Sequence, residues 1–298
     1  MKLLSPAISR LARIRYWRIE QWIQNPIEAQ REVLQKLVSF GQYTEIGRKY
    51  GMSKLFNVRD FKKAIPIHTY EDLKPYIERL MLGEQNLLWN TPVKWFAKSS
   101  GTTNDKSKFI PITEESLSYN HFQASKDVLS MYYNFNPESD LLTGKGLLIG
   151  GSHQINPLNE EAMYGDLSAV LFQNTPIWAN WIRTPDLTVA LMDEWETKIE
   201  AIAQQTLYDD VTSMSGVPTW TLVLLKRILE ITGKKNIQEV WPNIELYLHG
   251  GVSFTPYKEQ FNKIIGKPIH YLNMYNASEG FFAAQNNPNE EGMLLFLE

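Results

Sequence analysis

A chain of 298 residues is long enough for about two average domains, or for one large α/β body with an appended piece. Hydrophobic residues at 43% and charged residues at 21% sit near the globular average, which excludes a disordered or fibrous chain. The 30 Lys+Arg against 33 Asp+Glu leave a net charge of −3 and no broad cationic footprint for nucleic acid, while the lack of cysteine excludes disulfides, thiolate metal sites and a cysteine nucleophile.

The chain opens MKLLSPAISRLARIRYWRIEQW, where Arg10, Arg13, Arg15 and Arg18 break up what a secretory signal needs as an apolar core. No run approaches the roughly 18 apolar residues of a membrane span, and a cytoplasmic location is expected. This basic, Trp-containing start reads as a helix docked on its own domain, with a helix lying on a membrane surface as the alternative.

Helical signals dominate to about residue 90. Asn25-Pro26 offers a cap and a first-turn proline, Glu28 stands where a capping box wants an acid, and Ile27, Gln30, Leu34, Leu37 and Val38 follow at helical spacing up to Gly41. A second helix starts at Thr44 and runs through Glu45 and Arg48 toward Gly51; a third starts near Tyr70-Glu71-Asp72, after the breaker Ile65-Pro66.

From residue 93 the period changes. Residues 93–97 and 109–112 read as strands, and Thr113-Glu114-Glu115 caps a helix running toward Tyr133. Leu147-Leu148-Ile149 forms a strand ending in Gly150-Gly151, and Leu187, Ala190, Leu191, Ile199 and Ile202 share one amphipathic helix. Residues 211–214 form a strand before a helix with Trp220, Val223, Leu224, Ile228 and Leu229; residues 244–248 form a buried strand, Thr255-Pro256 opens a helix, and residues 269–274 give one more strand. Such alternation predicts parallel sheets covered by helices, with ligands at the carboxyl ends of the strands. Three turns rich in glycine or hydroxyls fall there: residues 99–103, 250–253 and 276–280.

The first of these, Ser99-Ser100-Gly101-Thr102-Thr103-Asn104-Asp105-Lys106-Ser107-Lys108, packs hydroxyls around a glycine and adds lysines, which is what phosphate oxygens need. It lacks the G-x-x-x-x-G-K-[ST] pattern, and in isolation it also reads as a solvated loop. The second, Tyr275-Asn276-Ala277-Ser278-Glu279-Gly280, places a hard carboxylate oxygen for Mg²⁺ beside a hydroxyl, or else is an ordinary turn with a surface acid. His68, His121, His153, His249 and His270 are scattered, and neither H-E-x-x-H nor G-x-S-x-G occurs, which argues against zinc and serine hydrolases. His249 borders the 250–253 turn and reads as either a packed or a site residue.

The pair SSGTT…K and Y-x-x-S-E resembles the phosphate loop and metal turn of the adenylate-forming enzymes. A closer resemblance is to the acyl-acid amido synthetases, the plant auxin- and jasmonate-conjugating enzymes and their bacterial relatives. It is carried by Thr44-Glu45-x-Gly47-Arg48-x-Tyr50-Gly51, Ile65-Pro66-Ile67 and Tyr70-Glu71-Asp72-Leu73-x-Pro75-Tyr76-Ile77, which lead into the SSGTT run. The resemblance extends from about residue 25 to the end of the sequence. It implies an α/β fold over residues 1–298: a helical N-terminal portion to residue 90, then parallel and mixed sheets flanked by helices, the large N-terminal domain of an adenylate-forming enzyme. By the same resemblance Ser99, Ser100, Gly101, Thr102, Thr103 and Lys108 hold ATP phosphates, Ser278 meets the α-phosphate and Glu279 binds Mg²⁺. Gly250, Gly251, Val252 and Tyr275 match the nucleotide site, and Val217, Pro218 and Trp220 match the acid-pocket wall. Lys108, Ser278 and Glu279 are the implied catalytic set. The implied reaction joins a carboxylic acid to an amino acid through an acyl-adenylate, with acyl-CoA synthesis or non-catalytic binding as alternatives. Asn104 departs from the glycine that many relatives carry, and relatives continue beyond the position of Glu298 into a small mobile domain, so the chain is expected to lack it.

Overall fold

A computed structural model describes residues 5–99, 107–151, 156–159 and 161–298. Its first part is helical: α1 (Ser5–Gln24), α2 (Pro26–Gly41), α3 (Glu45–Lys49), α4 (Val58–Ala64) and α5 (Tyr70–Met81). The caps are local chemistry. The Gly47 N–H donates to Thr44 Oγ1 at 3.0 Å, and Thr69 with Asp72 closes a reciprocal capping box that starts α5. Asn25 behaves differently from the expectation. Its side-chain amide donates back to the Gln21 carbonyl at 3.1 Å, because α1 ends directly before α2 and supplies the nearer partner.

Along the rest of the chain come β1 (Trp95–Ser99), β2 (Lys108–Ile112), a π-helical turn (Ser116–His121), α6 (Phe122–Phe135), β3 (Lys145–Leu148), β4 (Asn156–Pro157), β5 (Met163–Gly165), α7 (Leu167–Gln173), β6 (Arg183–Thr184), α8 (Leu187–Ala190) and α9 (Trp195–Thr206). They are followed by β7 (Val211–Gly216), α10 (Pro218–Thr232), β8 (Leu246–Gly250), α11 (Lys258–Ile265), β9 (His270–Ala277), β10 (Gly280–Ala284) and β11 (Leu294–Leu295). The single helix expected over residues 187–202 is two. Glu194 accepts from the Glu196 and Thr197 N–H groups and starts α9 afresh, so the shared periodicity spans a break.

Two sheets result. The smaller runs β2-β1-β5-β4, with β1 and β2 antiparallel; the larger runs β11-β10-β9-β8-β7-β3-β6, parallel from β9 to β6 and antiparallel at the β9–β10 and β10–β11 pairs. Strand alternation divides the core into two layers. On one face Tyr247 packs with Ile199, Ile202, Leu224, Leu225, Ile228 and Phe261 of α9, α10 and α11. On the other, Leu246 and Leu272 meet Tyr132 and Tyr133 of α6, while Ile19 and Trp22 of α1 pack with Val128, Met131 and Phe281. Arg15 of α1 adds an ion pair to the largely buried Asp127 of α6 at 2.6 Å.

Candidate functional site

The strand registers bring the carboxyl ends of β7, β8 and β9 level. Gly216 stands beside His249, and Gly250 beside Met274, so Val217, the 250–252 turn and Tyr275 lie next to one another at one rim of the parallel sheet. The turn needs its glycines. A Cβ on Gly250 would stand 2.4 Å from the Met274 carbonyl oxygen, and Gly251 has φ +82°, a left-handed conformation that side chains oppose. Val217 reaches this turn, with Cγ2 3.5 Å from where a Gly251 Cβ would be. Pro218 is buried at the first position of α10. Trp220 sits two residues further along that helix and packs its ring on Trp195 of α9, with centroids 5.3 Å apart. Trp195 is a partner that no sequence signal named.

Beyond the rim, Ser278 and Glu279 form the two-residue connection of a hairpin in which Gly280 pairs with Ala277. Tyr275 is half-exposed and leans on Phe282 across that hairpin, with ring centroids 5.2 Å apart. Glu279 is exposed and forms no ion pair among the described residues. The π-helical turn pins the hairpin from the α6 side. The Phe281 N–H donates to Asn120 Oδ1 at 2.6 Å, and Asn120 Nδ2 donates to the Phe281 carbonyl at 3.2 Å. His121 is buried beside Asn276; burial lowers its pKa and that contact opposes the shift. Neither Asn120 nor His121 carried a sequence signal, since the extra residue per turn is invisible to a helical repeat.

The hydroxyl loop belongs to the smaller sheet. It joins β1 to β2 as a hairpin whose last paired residues are Ser99 and Lys108, opposite each other. Tyr70 of α5 holds this end: its hydroxyl accepts from the Phe109 N–H at 2.9 Å, and Lys108 Nζ lies 5.4 Å over its ring. Ser100, Gly101, Thr102 and Thr103 fall outside the described residues. The π-helical turn also connects the two sheets. Its Leu117 packs with Ala97 of β1 and Ile112 of β2, while Asn120 three residues on grips β10.

His249 is 4% exposed and stacks on Phe254 at 4.1 Å. Burial pushes its pKa down to about 4. It is a packed, neutral imidazole under the glycine turn. Beside it, an open groove of about 1020 Å³ runs between β9 and α11, lined in part by Ser253, Asn273 and Gln285.

This arrangement meets its relatives at three levels. A model of the GH3 family N-terminal domain matches residues 15–269. The chain belongs to the GH3 family. Among curated GH3 relatives it is 34% identical over 128 residues to jasmonoyl–L-amino acid synthetase JAR4 of Nicotiana attenuata, covering 42% of this chain and 21% of that protein. It is also 34% identical over 100 residues to indole-3-acetic acid-amido synthetase GH3.2 of Arabidopsis thaliana, covering 33% of this chain and 18% of that one. Solved structures share the fold: AtGH3.15 acyl acid amido synthetase in complex with 2,4-DB at TM-score 0.73, 18% identity, 88% of this chain and 54% of that one. A 2-hydroxyisobutyryl-CoA ligase follows at TM-score 0.53 and 12% identity, covering 91% of this chain and 54% of that one. The chain thus spans about half the length of these solved GH3 and ligase structures, and the fold is that of the N-terminal part of adenylate-forming enzymes.

Proposed function

We propose that this GH3 chain is the nucleotide- and acid-binding domain, residues 1–298, of a cytoplasmic ATP-dependent acyl-acid amido synthetase. The observation that carries the proposal is the level register of β7, β8 and β9, which lines up Val217, the glycine turn and Tyr275 beside the Ser278-Glu279 hairpin. The named relatives join acids to amino acids, and this chain's rim has the parts for the same chemistry.

In this reading the adenine lies against the 250–252 backbone and Tyr275, because a glycine pair lets the base approach the main chain. Ser99, Ser100, Gly101, Thr102, Thr103 and Lys108 cradle the β- and γ-phosphates, and Ser278 donates to the α-phosphate. Val217, Pro218 and Trp220 border the acid. The substrate carboxylate attacks the α-phosphorus in line and pyrophosphate leaves; the amino group of an amino acid then attacks the acyl carbon and AMP leaves. Lys108 and the hydroxyls stabilise charge that grows on the phosphate oxygens, and the apolar rim excludes water from the mixed anhydride.

Glu279 would hold Mg²⁺. Its free carboxylate on a two-residue turn suits an ion that takes one or two protein carboxylates and fills its remaining positions with substrate phosphates and water. The ion would neutralise phosphate charge when bound.

The test is acid-dependent pyrophosphate release across a panel of acids with amino acids present, with the products identified. Acid-dependent release with amide product is the expected result; thioester formed only with coenzyme A would reassign the acceptor, and ATP binding without release would leave a binding module. Lys108→Ala should weaken ATP binding at least tenfold, since a charged hydrogen bond contributes about 1.5–3 kcal/mol. Glu279→Gln should flatten the Mg²⁺ dependence of that binding, and an unchanged Mg²⁺ titration would remove the metal assignment.

A further inference from the structure

The helix α1 has two faces with different fates. Ala12, Tyr16, Ile19 and Trp22 point inward to the core, and Arg15 reaches Asp127 at 2.6 Å and Glu298 at 2.8 Å. The opposite arc carries Leu11, Ile14 and Trp17, which are 66%, 60% and 61% exposed. At helical angles Arg10, Arg13 and Arg18 interleave with them, and no Asp or Glu falls within that arc. None of these three arginines forms an ion pair among the described residues. A helix already secured by one face thus holds a second face that is apolar along its middle and cationic along its flanks.

We infer that this outer face of α1 docks on an anionic lipid bilayer surface. Charge complementarity selects that occupant: three exposed arginines that form no ion pair among the described residues repel a second cationic copy of the same face and attract lipid phosphates. The apolar residues suit the boundary between headgroups and acyl chains, where a tryptophan ring and arginine stems place an apolar body inward and a polar end outward. No helix of the described residues is long and apolar enough to cross a membrane, so the contact is peripheral. Two independent contributions hold it, apolar insertion and charge, and both must matter.

The experiment is co-sedimentation of the full chain with vesicles of phosphatidylcholine alone and of phosphatidylcholine with phosphatidylglycerol, at low and high salt. Sedimentation with the anionic vesicles only, lost as salt rises, is expected. The triple variant Arg10→Gln, Arg13→Gln, Arg18→Gln should lower partitioning on the order of 100-fold, from about a fivefold loss per arginine near an anionic surface. The variant Leu11→Ser, Ile14→Ser should lower it about tenfold or more without any change in charge. All substituted side chains are exposed, so circular dichroism and thermal unfolding should match the parent. No vesicle binding by a folded parent would overturn the inference. Binding that needs the arginines but not Leu11 and Ile14 would also overturn it, marking a general polyanion surface instead. So would a dimer in light scattering that the Leu11/Ile14 variant dissolves, since the face would then join two copies.

Discussion

Two residues at the rim show how backbone and burial act at single positions. Gly250 is fixed by the Met274 carbonyl 2.4 Å from the place of its missing Cβ. Gly250→Ala should therefore cost about 1–3 kcal/mol of stability, as overpacking does, and weaken nucleotide binding with it; unfolding and calorimetry check both. His249 works through protonation. Its unfolded pKa lies near 6.5 and its folded one near 4, so the unfolded chain takes up the proton first as pH falls. The neutral form's contribution is whole above the unfolded value and is lost between pH 6.5 and 4, amounting to up to about 3 kcal/mol. His121, also buried, tilts the same way. His249→Gln should flatten the acid limb of the stability curve measured by denaturant titration from pH 7 to 4. An equally steep limb in the variant would assign the effect to other groups.

At the scale of elements, the π-helical turn Ser116–His121 is the joint on which the site hangs, because it packs on β1 and β2 through Leu117 and grips β10 through Asn120. Asn120→Ala removes both side-chain bonds and leaves the Phe281 N–H and carbonyl to find new partners. The expected cost is about 1–3 kcal/mol, the desolvation of groups left unsatisfied. Its diagnostic consequence is kinetic: if the hairpin positions Ser278 and Glu279, pyrophosphate release should fall more than ATP affinity does. Equal losses in both would reduce Asn120 to a structural bond. Sequence periodicity located α2, α5, α10 and every strand end at the rim to within a few residues, since each carries its own cap, breaker or glycine. It missed α4, β10 and the break between α8 and α9, where short elements leave too few periods to read.

For the whole molecule, the chain covers 54% of the solved AtGH3.15 structure, and under the proposed function the second half-reaction is the step that most needs testing on these residues alone. A pre-formed pocket has affinity by itself, whereas fast chemistry usually waits for closure that expels water. A polypeptide confined to residues 1–298 should bind ATP measurably yet form amide slowly or not at all. Fusing a relative's C-terminal domain should raise the rate. Rapid multiple turnover by the confined polypeptide would show that closure is dispensable.

Local chemistry by itself determined a great deal: the helix starts at Thr44 and near Tyr70, the alternation that builds a parallel sheet, the glycine turn at residues 250–251, and the two motifs whose order resembles adenylate-forming enzymes. These are written in neighbouring residues, within reach of one turn or one strand. Only the tertiary structure decided that Ser99 faces Lys108 at the root of a hairpin in a separate sheet, that Trp220 rests on Trp195, that His249 is a neutral core residue, and that Asn120 holds the Phe281 backbone 161 positions away. The physical reason is sequence separation. Burial and partner choice are set when distant elements pack, and no local period records which buried polar group will find which partner.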